Sequence, residues 1–80
     1  MRAIVEIDLH GMNRYQAKVK LDAALRRARP ETMRLRVIHG FHGGCALRDL
    51  VREEYAGHPK VARVETRLGD GVTDLVLREF

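Results

Sequence analysis

Two stretches of the sequence decide the fold: residues 3–11, Ala3-Ile4-Val5-Glu6-Ile7-Asp8-Leu9-His10-Gly11, and residues 35–40, Leu35-Arg36-Val37-Ile38-His39-Gly40. In the first stretch, apolar side chains recur at every second position, which predicts a β-strand with one face on a core, and the second stretch is predicted to be a strand as well. Each stretch then ends in histidine followed by glycine. Parallel strands finish at the same end of a sheet, where α/β proteins bind their ligands. We therefore expect the two His-Gly segments to lie side by side.

A helix is predicted after each of these strands. From Arg14 to Ala28, alanine and leucine recur at helical spacing, Asn13 stands at the N-cap position, and Pro30 ends the pattern. A second helix is predicted from about Ala46 to Tyr55, buried through Leu47, Leu50 and Val51. Strand and helix therefore alternate as far as residue 55.

Two more strands are predicted at residues 61–68 and 72–78, joined by a hairpin turn at Gly69-Asp70-Gly71. The order is then βαβαββ, and both helices lie on one face because crossovers between parallel strands are right-handed. The predicted fold class is an α/β two-layer sandwich, with one domain over residues 1–80. The other face of its sheet is predicted to be bare and rich in arginine, and it would carry Glu6, Asp8, Arg36, Arg63, Glu65, Arg67, Asp74 and Arg78.

The composition favours a polyanionic partner. Fifteen lysine and arginine residues, mostly arginine, stand against eleven acidic residues, which gives a formal net charge of +4. The single cysteine, Cys45, excludes an internal disulfide and a cysteine metal cage. Acidic residues lie close to the N-terminus, and no apolar run reaches the length that spans a bilayer. We expect a cytoplasmic monomer without a membrane partner.

Asp8, His10 and His39 are the candidate catalytic residues. Asp8 and His10 are two positions apart, so on an extended strand they project from the same face. The carboxylate can act as a general base or metal ligand in phosphodiester cleavage, with the imidazole supporting the leaving group. Alternatively, Asp8 accepts backbone N–H groups and both histidines only pack at strand ends. A divalent cation is compatible with these residues, but their spacing does not predict a metal site, so we assign no metal ligand.

A glycine-rich loop precedes the second helix. Gly40, Gly43 and Gly44 allow close approach of the backbone to a phosphate at the helix start, and Arg48 follows in the first turn. The alternative is a turn that needs positive φ. Phe41 is the one aromatic residue suited to stacking on a base. The candidate nucleic-acid-binding residues are Gly11, Arg14, Arg36, Gly40, Phe41, His42, Gly43, Gly44 and Arg48.

The chain resembles the Smr (small MutS-related) domain family. Ile7-Asp8-Leu9-His10-Gly11 is similar to the first motif of that family, and Ile38-His39-Gly40 with Ala46-Leu47-Arg48 is similar to its second. The segment Gly71-Val72-Thr73 resembles the closing hairpin. The resemblance implies a strand order of 1-2-4-3 with the last strand antiparallel. It also implies binding to DNA or RNA, since family members bind nucleic acids and several nick or cleave them.

Three functions remain open at this point. The first is a nucleic-acid-binding domain with endonuclease activity, which nicks DNA or cleaves RNA. The second is a non-catalytic module that binds DNA or RNA structures. It is favoured by two departures from the family pattern: His42 stands where a glycine is expected, and the Gly-Asp-Gly hairpin is short. The third is a protein-interaction adaptor that uses the open sheet.

Overall fold

The computed structural model describes residues 3–40, 46–66 and 71–78. Within these ranges, strands and helices follow the order βαβαββ. The elements are β1 (Ile4–Asp8), α1 (Arg14–Arg27), β2 (Arg34–Ile38), α2 (Ala46–Asp49, continued by a π-helical stretch, Leu50–Glu54), β3 (Arg63–Thr66) and β4 (Val72–Val76). The predicted class and order of elements are confirmed. No helix in the described ranges is long and apolar enough to cross a bilayer.

The four strands form one sheet in the order β1-β2-β4-β3. β1 and β2 run parallel, and β4 runs antiparallel to both of its neighbours. The strand order implied by the family resemblance is therefore confirmed. Asp8 pairs with Ile38 at the end of the parallel ladder, so the chain leaves β1 and β2 at the same end of the sheet. We call this end the histidine rim. It is formed by residues 8–12, 39–40 and 71, together with the side chain of Lys20.

Both helical segments pack on one face of the sheet, as predicted. Alternation along each strand sends every second side chain to this face, where it meets the apolar side of the helices. The resulting core cluster joins Ala17, Leu21 and Leu25 of α1 and Leu50, Val51 and Tyr55 of the second helical segment with Ile7, Leu35, Val37 and Leu75 of the strands.

Helix α1 begins where the sequence predicts. The Asn13 side chain accepts a hydrogen bond from the Gln16 N–H at 2.8 Å, and the Gln16 side chain accepts one from the Asn13 N–H at 3.1 Å. This reciprocal capping box satisfies two N–H groups that the helix itself leaves without partners. The helix ends at Arg27, one residue before the predicted end, with Ala28 as its C-cap.

The second helix differs from the prediction in its winding. It is α-helical only from Ala46 to Asp49 and π-helical over Leu50–Glu54. A π-helical turn closes on the fifth residue, so Leu50 and Tyr55 face the same side and both enter the core. Apolar spacing in the sequence does not distinguish the two windings.

The last two strands pair as predicted, but β3 begins at Arg63 and not at residue 61. It is described as far as Thr66, which pairs with Thr73 of β4, and β4 ends at Val76, two residues before its predicted end. Residues 67–70, which include Arg67 and most of the predicted hairpin turn, lie outside the described ranges. Before β3, Val61 is already buried in the core, where it anchors the chain under the helices.

The sheet face opposite the helices carries charged residues, as predicted, but they are not all exposed. Asp74 has no exposed surface. Its carboxylate accepts hydrogen bonds from Arg34 Nη1 at 2.8 Å and from Arg36 Nε at 3.1 Å. Arg34 also donates to Glu65 at 3.0 Å, and Glu65 accepts from Arg63 at 2.8 Å. In register, Asp74 has Arg36 on one neighbouring strand and Glu65 on the other. The arginines thus neutralise two adjacent carboxylates, one buried and one half-buried, in a single ion-pair network.

This network predicts a loss of stability in acid. The hydrogen bond from Arg63, followed by that from Arg34, holds the pKa of Glu65 below its ordinary value of 4.5. Because the pKa is lower in the folded state, the stabilisation is complete above the unfolded value and is lost as the pH falls through the folded one. We expect the melting temperature to fall as the pH drops below about 4.5.

Thermal unfolding followed by circular dichroism between pH 7 and pH 3 measures this effect. The variant Glu65→Gln cannot titrate at this position, so its melting temperature should fall less steeply over the acid range. Equal slopes in the variant and the unaltered protein would show that the Glu65 ion pairs do not carry the acid sensitivity.

Candidate functional site

A tight turn presents His10 at the histidine rim. The Met12 N–H donates to the Leu9 carbonyl at 3.0 Å, which closes a four-residue turn around His10 and Gly11. Gly11 has φ of +83°, the left-handed conformation that the third residue of a type II turn requires. The glycine after the histidine therefore has a physical reason: it lets the chain turn directly after β1. The His10 side chain is 74% exposed at the tip of this turn.

Asp8 and His10 form an exposed acid–imidazole pair. The Asp8 Oδ1 accepts a hydrogen bond from the His10 backbone N–H at 3.0 Å, and the same oxygen lies 3.4 Å from His10 Nδ1. The backbone hydrogen bond is the main reason why the pKa of Asp8 lies below its ordinary value of 3.8. Asp8 is therefore ionised at neutral pH and is a weak proton acceptor. Its position suits it to orient the imidazole, whose Nε2 points away from the carboxylate.

Lys20 is a rim residue that sequence reasoning missed. Its Nζ donates to the backbone carbonyl of Asp8 at 3.0 Å and adds a positive charge beside the Asp8–His10 pair. Lys20 lies on α1, twelve residues after Asp8. The return of α1 across the end of β1 brings it there. Lys18 and Lys20 both stand between the core positions Ala17 and Leu21, so residue spacing alone does not single out Lys20.

The second His-Gly segment meets the first through its glycine. Gly40 has φ of +68°, and a Cβ built there would lie 3.8 Å from the Cβ of His10. The Gly71 carbonyl accepts hydrogen bonds from the N–H groups of both His39 and Gly40, each at 3.0 Å. The backbone around Gly40 is thereby fixed between β1 and β4. The expectation that the two segments lie side by side is met at the level of the backbone.

His39 points away from the rim surface. Its side chain is 3% exposed and faces the helix-covered side of the sheet, in phase with Leu35 and Val37. His39 Nδ1 lies 2.8 Å from the Gly40 carbonyl oxygen, and Nε2 lies 2.9 Å from Thr73 Oγ1. A carbonyl can only accept, so Nδ1 carries a hydrogen, and in the neutral ring Nε2 accepts from the Thr73 hydroxyl. The structure does not bring the His39 imidazole together with Asp8 and His10.

Arg52 contacts the same threonine as His39. Its Nε donates to Thr73 Oγ1 at 3.0 Å, so the threonine oxygen accepts from Arg52 while its hydrogen is available to His39. Arg52 lies in the π-helical stretch. This chain of hydrogen bonds links the second helical segment, β4 and the end of β2. Neither Arg52 nor Thr73 was singled out from the sequence.

The three predicted phosphate-binding arginines each have an anionic or carbonyl partner. Arg14 donates to the Ala46 carbonyl at 3.1 Å and to Glu54 at 2.8 Å, which ties the start of α1 to the second helical segment. Arg48 Nε lies 3.5 Å from an Asp49 carboxylate oxygen. Arg36 lies on the sheet face opposite the helices and donates to Asp74. The four remaining predicted residues, Phe41, His42, Gly43 and Gly44, lie outside the described ranges.

Within residues 3–40, 46–66 and 71–78, no group of three or more histidine, cysteine or acidic side chains is arranged to hold a metal ion. The rim instead combines one ionised carboxylate, one exposed imidazole, the Lys20 ammonium and the backbone of two glycines. Such a surface can bind a phosphodiester, because the cation attracts it and the glycines leave room for it. The imidazole can transfer a proton from an attacking water molecule or to a leaving oxygen.

Comparison with known proteins gives one family. Residues 7–78 match the family model described as the Smr domain. Among solved structures, the chain is similar to the Smr domain of MutS2 from Thermus thermophilus, with 34% sequence identity and a TM-score of 0.81. The similarity covers 94% of this chain and 99% of that one. No curated protein matches in sequence.

Proposed function

The chain belongs to the Smr domain family, whose members bind nucleic acids, and we propose that it binds a DNA or RNA strand at the histidine rim and cleaves it there. The observation that carries this proposal is the exposed Asp8–His10 pair on a glycine turn, with Lys20 beside it. Sugar-phosphate contacts dominate the affinity, so binding weakens as salt is added.

In the proposed reaction, His10 acts as the proton-transfer group and Asp8 as a positioning residue. His10 Nε2 takes a proton from a water molecule, whose oxygen forms a bond to phosphorus. The phosphorus–oxygen bond to the leaving nucleotide breaks, and the leaving oxygen takes up a proton from a second water molecule. His10 then returns its own proton to the solvent, which restores the starting state. The products are one end that carries the phosphate and one that carries a hydroxyl. The ionised Asp8 holds Nδ1 of the imidazole, as carboxylates do in other acid–histidine pairs.

His39 is proposed as a positioning residue in the same site. Its ring nitrogens are bonded to the Gly40 carbonyl and to Thr73, so it fixes the glycine backbone against which His10 packs. Gly11 and Gly40 supply the open backbone next to the strand. Residues 41–44, outside the described ranges, stay predicted contacts to the strand. Arg14 and Arg48, at the starts of the two helices, are the proposed phosphate contacts farther out.

One assay tests the proposal. Purified protein is incubated with supercoiled plasmid and with single-stranded RNA, in Mg²⁺, in Mn²⁺ or in chelator, because a carboxylate beside a phosphate attracts divalent cations. Retention of the nucleic acid is measured in parallel at increasing salt. We expect binding that declines with salt, together with nicked plasmid or shortened RNA. An absence of both binding and cleavage under all conditions would refute the proposal.

A second candidate function is nucleic-acid binding without cleavage. The burial of His39 favours it, because one imidazole rather than two then faces a bound strand. Salt-sensitive binding with no product from either substrate would establish this function. Salt-insensitive association with a protein, without retention on nucleic acid, would instead identify an adaptor.

A further inference from the structure

A second cationic cleft lies away from the histidine rim. It has a volume of about 330 Å³ and opens between the later turns of α1 and the segment that follows the π-helical stretch. It is lined by Lys18, Asp22, Leu25, Arg26, His58 and Lys60. Lys18 of the cleft and Lys20 of the rim are two residues apart on α1, and residues at this spacing do not face each other on a helix. The cleft and the rim therefore lie on different sides of α1.

The buried ring of Tyr55 organises the cleft. The Lys18 ammonium lies 5.6 Å from the centre of this ring, and the His58 ring stacks on it at 5.8 Å with an angle of 18° between the planes. The Tyr55 hydroxyl donates to Asp22 at 2.6 Å, so the one carboxylate that lines the cleft is held by a hydrogen bond. Tyr55 thus positions Lys18 and His58, the two side chains here that can donate to a ligand.

Lys60 contacts both His58 and helix α1. The Lys60 backbone N–H donates to His58 Nδ1 at 3.1 Å, so in the neutral ring the hydrogen resides on Nε2. The Lys60 ammonium donates to the Leu25 carbonyl at 3.1 Å, near the C-terminal end of α1. His58 therefore has a defined donor, and the Lys60 charge is held at the wall of the cleft.

Arg26 adds the donor group that has no partner in the described part of the chain. It is exposed in the last turn of α1, and within the described ranges neither a carboxylate nor a carbonyl accepts from its guanidinium. With Lys18 and Lys60 it gives the cleft three formal positive charges against one lining carboxylate, that of Asp22. The Lys18 ammonium also lies 3.8 Å from a carboxylate oxygen of Glu54, outside the lining. A guanidinium fork with neighbouring ammonium and imidazole donors suits the several oxygens of a phosphate.

We propose that the cleft formed by Lys18, Arg26, His58 and Lys60 binds a phosphate group of the nucleic-acid backbone, as a second contact separate from the histidine rim. This inference rests on the proposed function, because the nucleic-acid strand is the source of the phosphate. It extends the path of the bound strand from the rim along α1. A phosphate ion alone presents the same oxygens to the same donors, so it serves as a minimal probe of the cleft.

The test compares Arg26→Gln with Arg29→Gln, which removes the same charge from an exposed arginine outside the cleft. Affinity for a single-stranded oligonucleotide is measured by fluorescence anisotropy over a range of salt concentrations. Loss of one phosphate contact lowers the slope of log affinity against log salt by about 0.7. We expect this change and a several-fold weaker affinity for Arg26→Gln, with a smaller effect for Arg29→Gln.

Nuclear magnetic resonance gives the second readout. Titration with inorganic phosphate, and separately with the oligonucleotide, should shift the Lys60 amide and the His58 side-chain signals in the unaltered protein but not in Arg26→Gln. If the unaltered protein binds the oligonucleotide and the two variants behave alike, this inference is overturned while the proposed function stands. If phosphate shifts these signals and the oligonucleotide does not, the nucleic-acid backbone is excluded as the source. If the unaltered protein binds no oligonucleotide at all, both proposals fail.

Discussion

Asp74→Ala is expected to lower the free energy of unfolding by about 3 kcal/mol. Asp74 is fully buried on the sheet face opposite the helices, and its two oxygens accept hydrogen bonds from Arg34 and Arg36. Removal of the carboxylate leaves two guanidinium groups facing each other without their shared counter-charge. Breaking a buried pair in this way costs about 3–5 kcal/mol. The lower end applies, because the side chains of Arg34 and Arg36 are each 24% exposed and water can partly replace the lost partner.

A loss of about 3 kcal/mol in the free energy of unfolding is large for a chain of this size. Domains of about 80 residues bury a modest share of their surface and have a net stability of roughly 5 kcal/mol or a little more. Urea denaturation at pH 7 measures the change. Glu65→Gln is the matched control, because Glu65 belongs to the same ion-pair network but is half-buried and should matter much less. A loss for Asp74→Ala no greater than that for Glu65→Gln would mean that the buried carboxylate does not hold this face together.

His10→Ala is expected to reduce the rate of strand cleavage by about 100-fold or more, since positioned proton transfer contributes about 10²–10⁴ to a rate. Asp8→Asn should reduce it less, because the amide removes the charge that orients the ring but leaves the imidazole in place. Both changes lie at exposed positions, so folding should be preserved.

Glu6→Gln is the control for these variants. Glu6 precedes Asp8 by two positions on β1, lies on the same face and is exposed, so it tests the loss of a negative charge away from the imidazole. Cleavage by Glu6→Gln should equal that of the unaltered protein. Cleavage by His10→Ala at an undiminished rate would assign the chemistry to other residues.

The fold was predictable because local signals agree with one another. Alternation in β1 and β2, the Asn13 cap and the glycines after the histidines each have a local cause that the structure reproduces. The ion pairs of Asp74 were not predictable from local pattern. They depend on the register of β4 against β2, which is fixed only when the two strands, far apart in sequence, become neighbours.

The placement of His39 could have been read from the sequence. It continues the alternation of Leu35 and Val37, which puts its side chain on the core face, whereas Asp8 alternates with Ile7 and belongs to the other face. Lys20 and the Tyr55 cluster are different cases. Their roles arise from the way α1 crosses the strands and meets the segment after the π-helical stretch, and residue spacing does not encode that geometry.

The central claim is that a nucleic-acid strand lies on the histidine rim. Amide chemical shifts recorded during titration with a short single-stranded oligonucleotide test it most directly, because every described amide is a separate probe. We expect the largest changes at His10, Gly11 and Gly40, whose backbone forms the rim. Unchanged signals at these three residues, with the largest changes instead at Arg36 and Arg63 on the opposite sheet face, would contradict it.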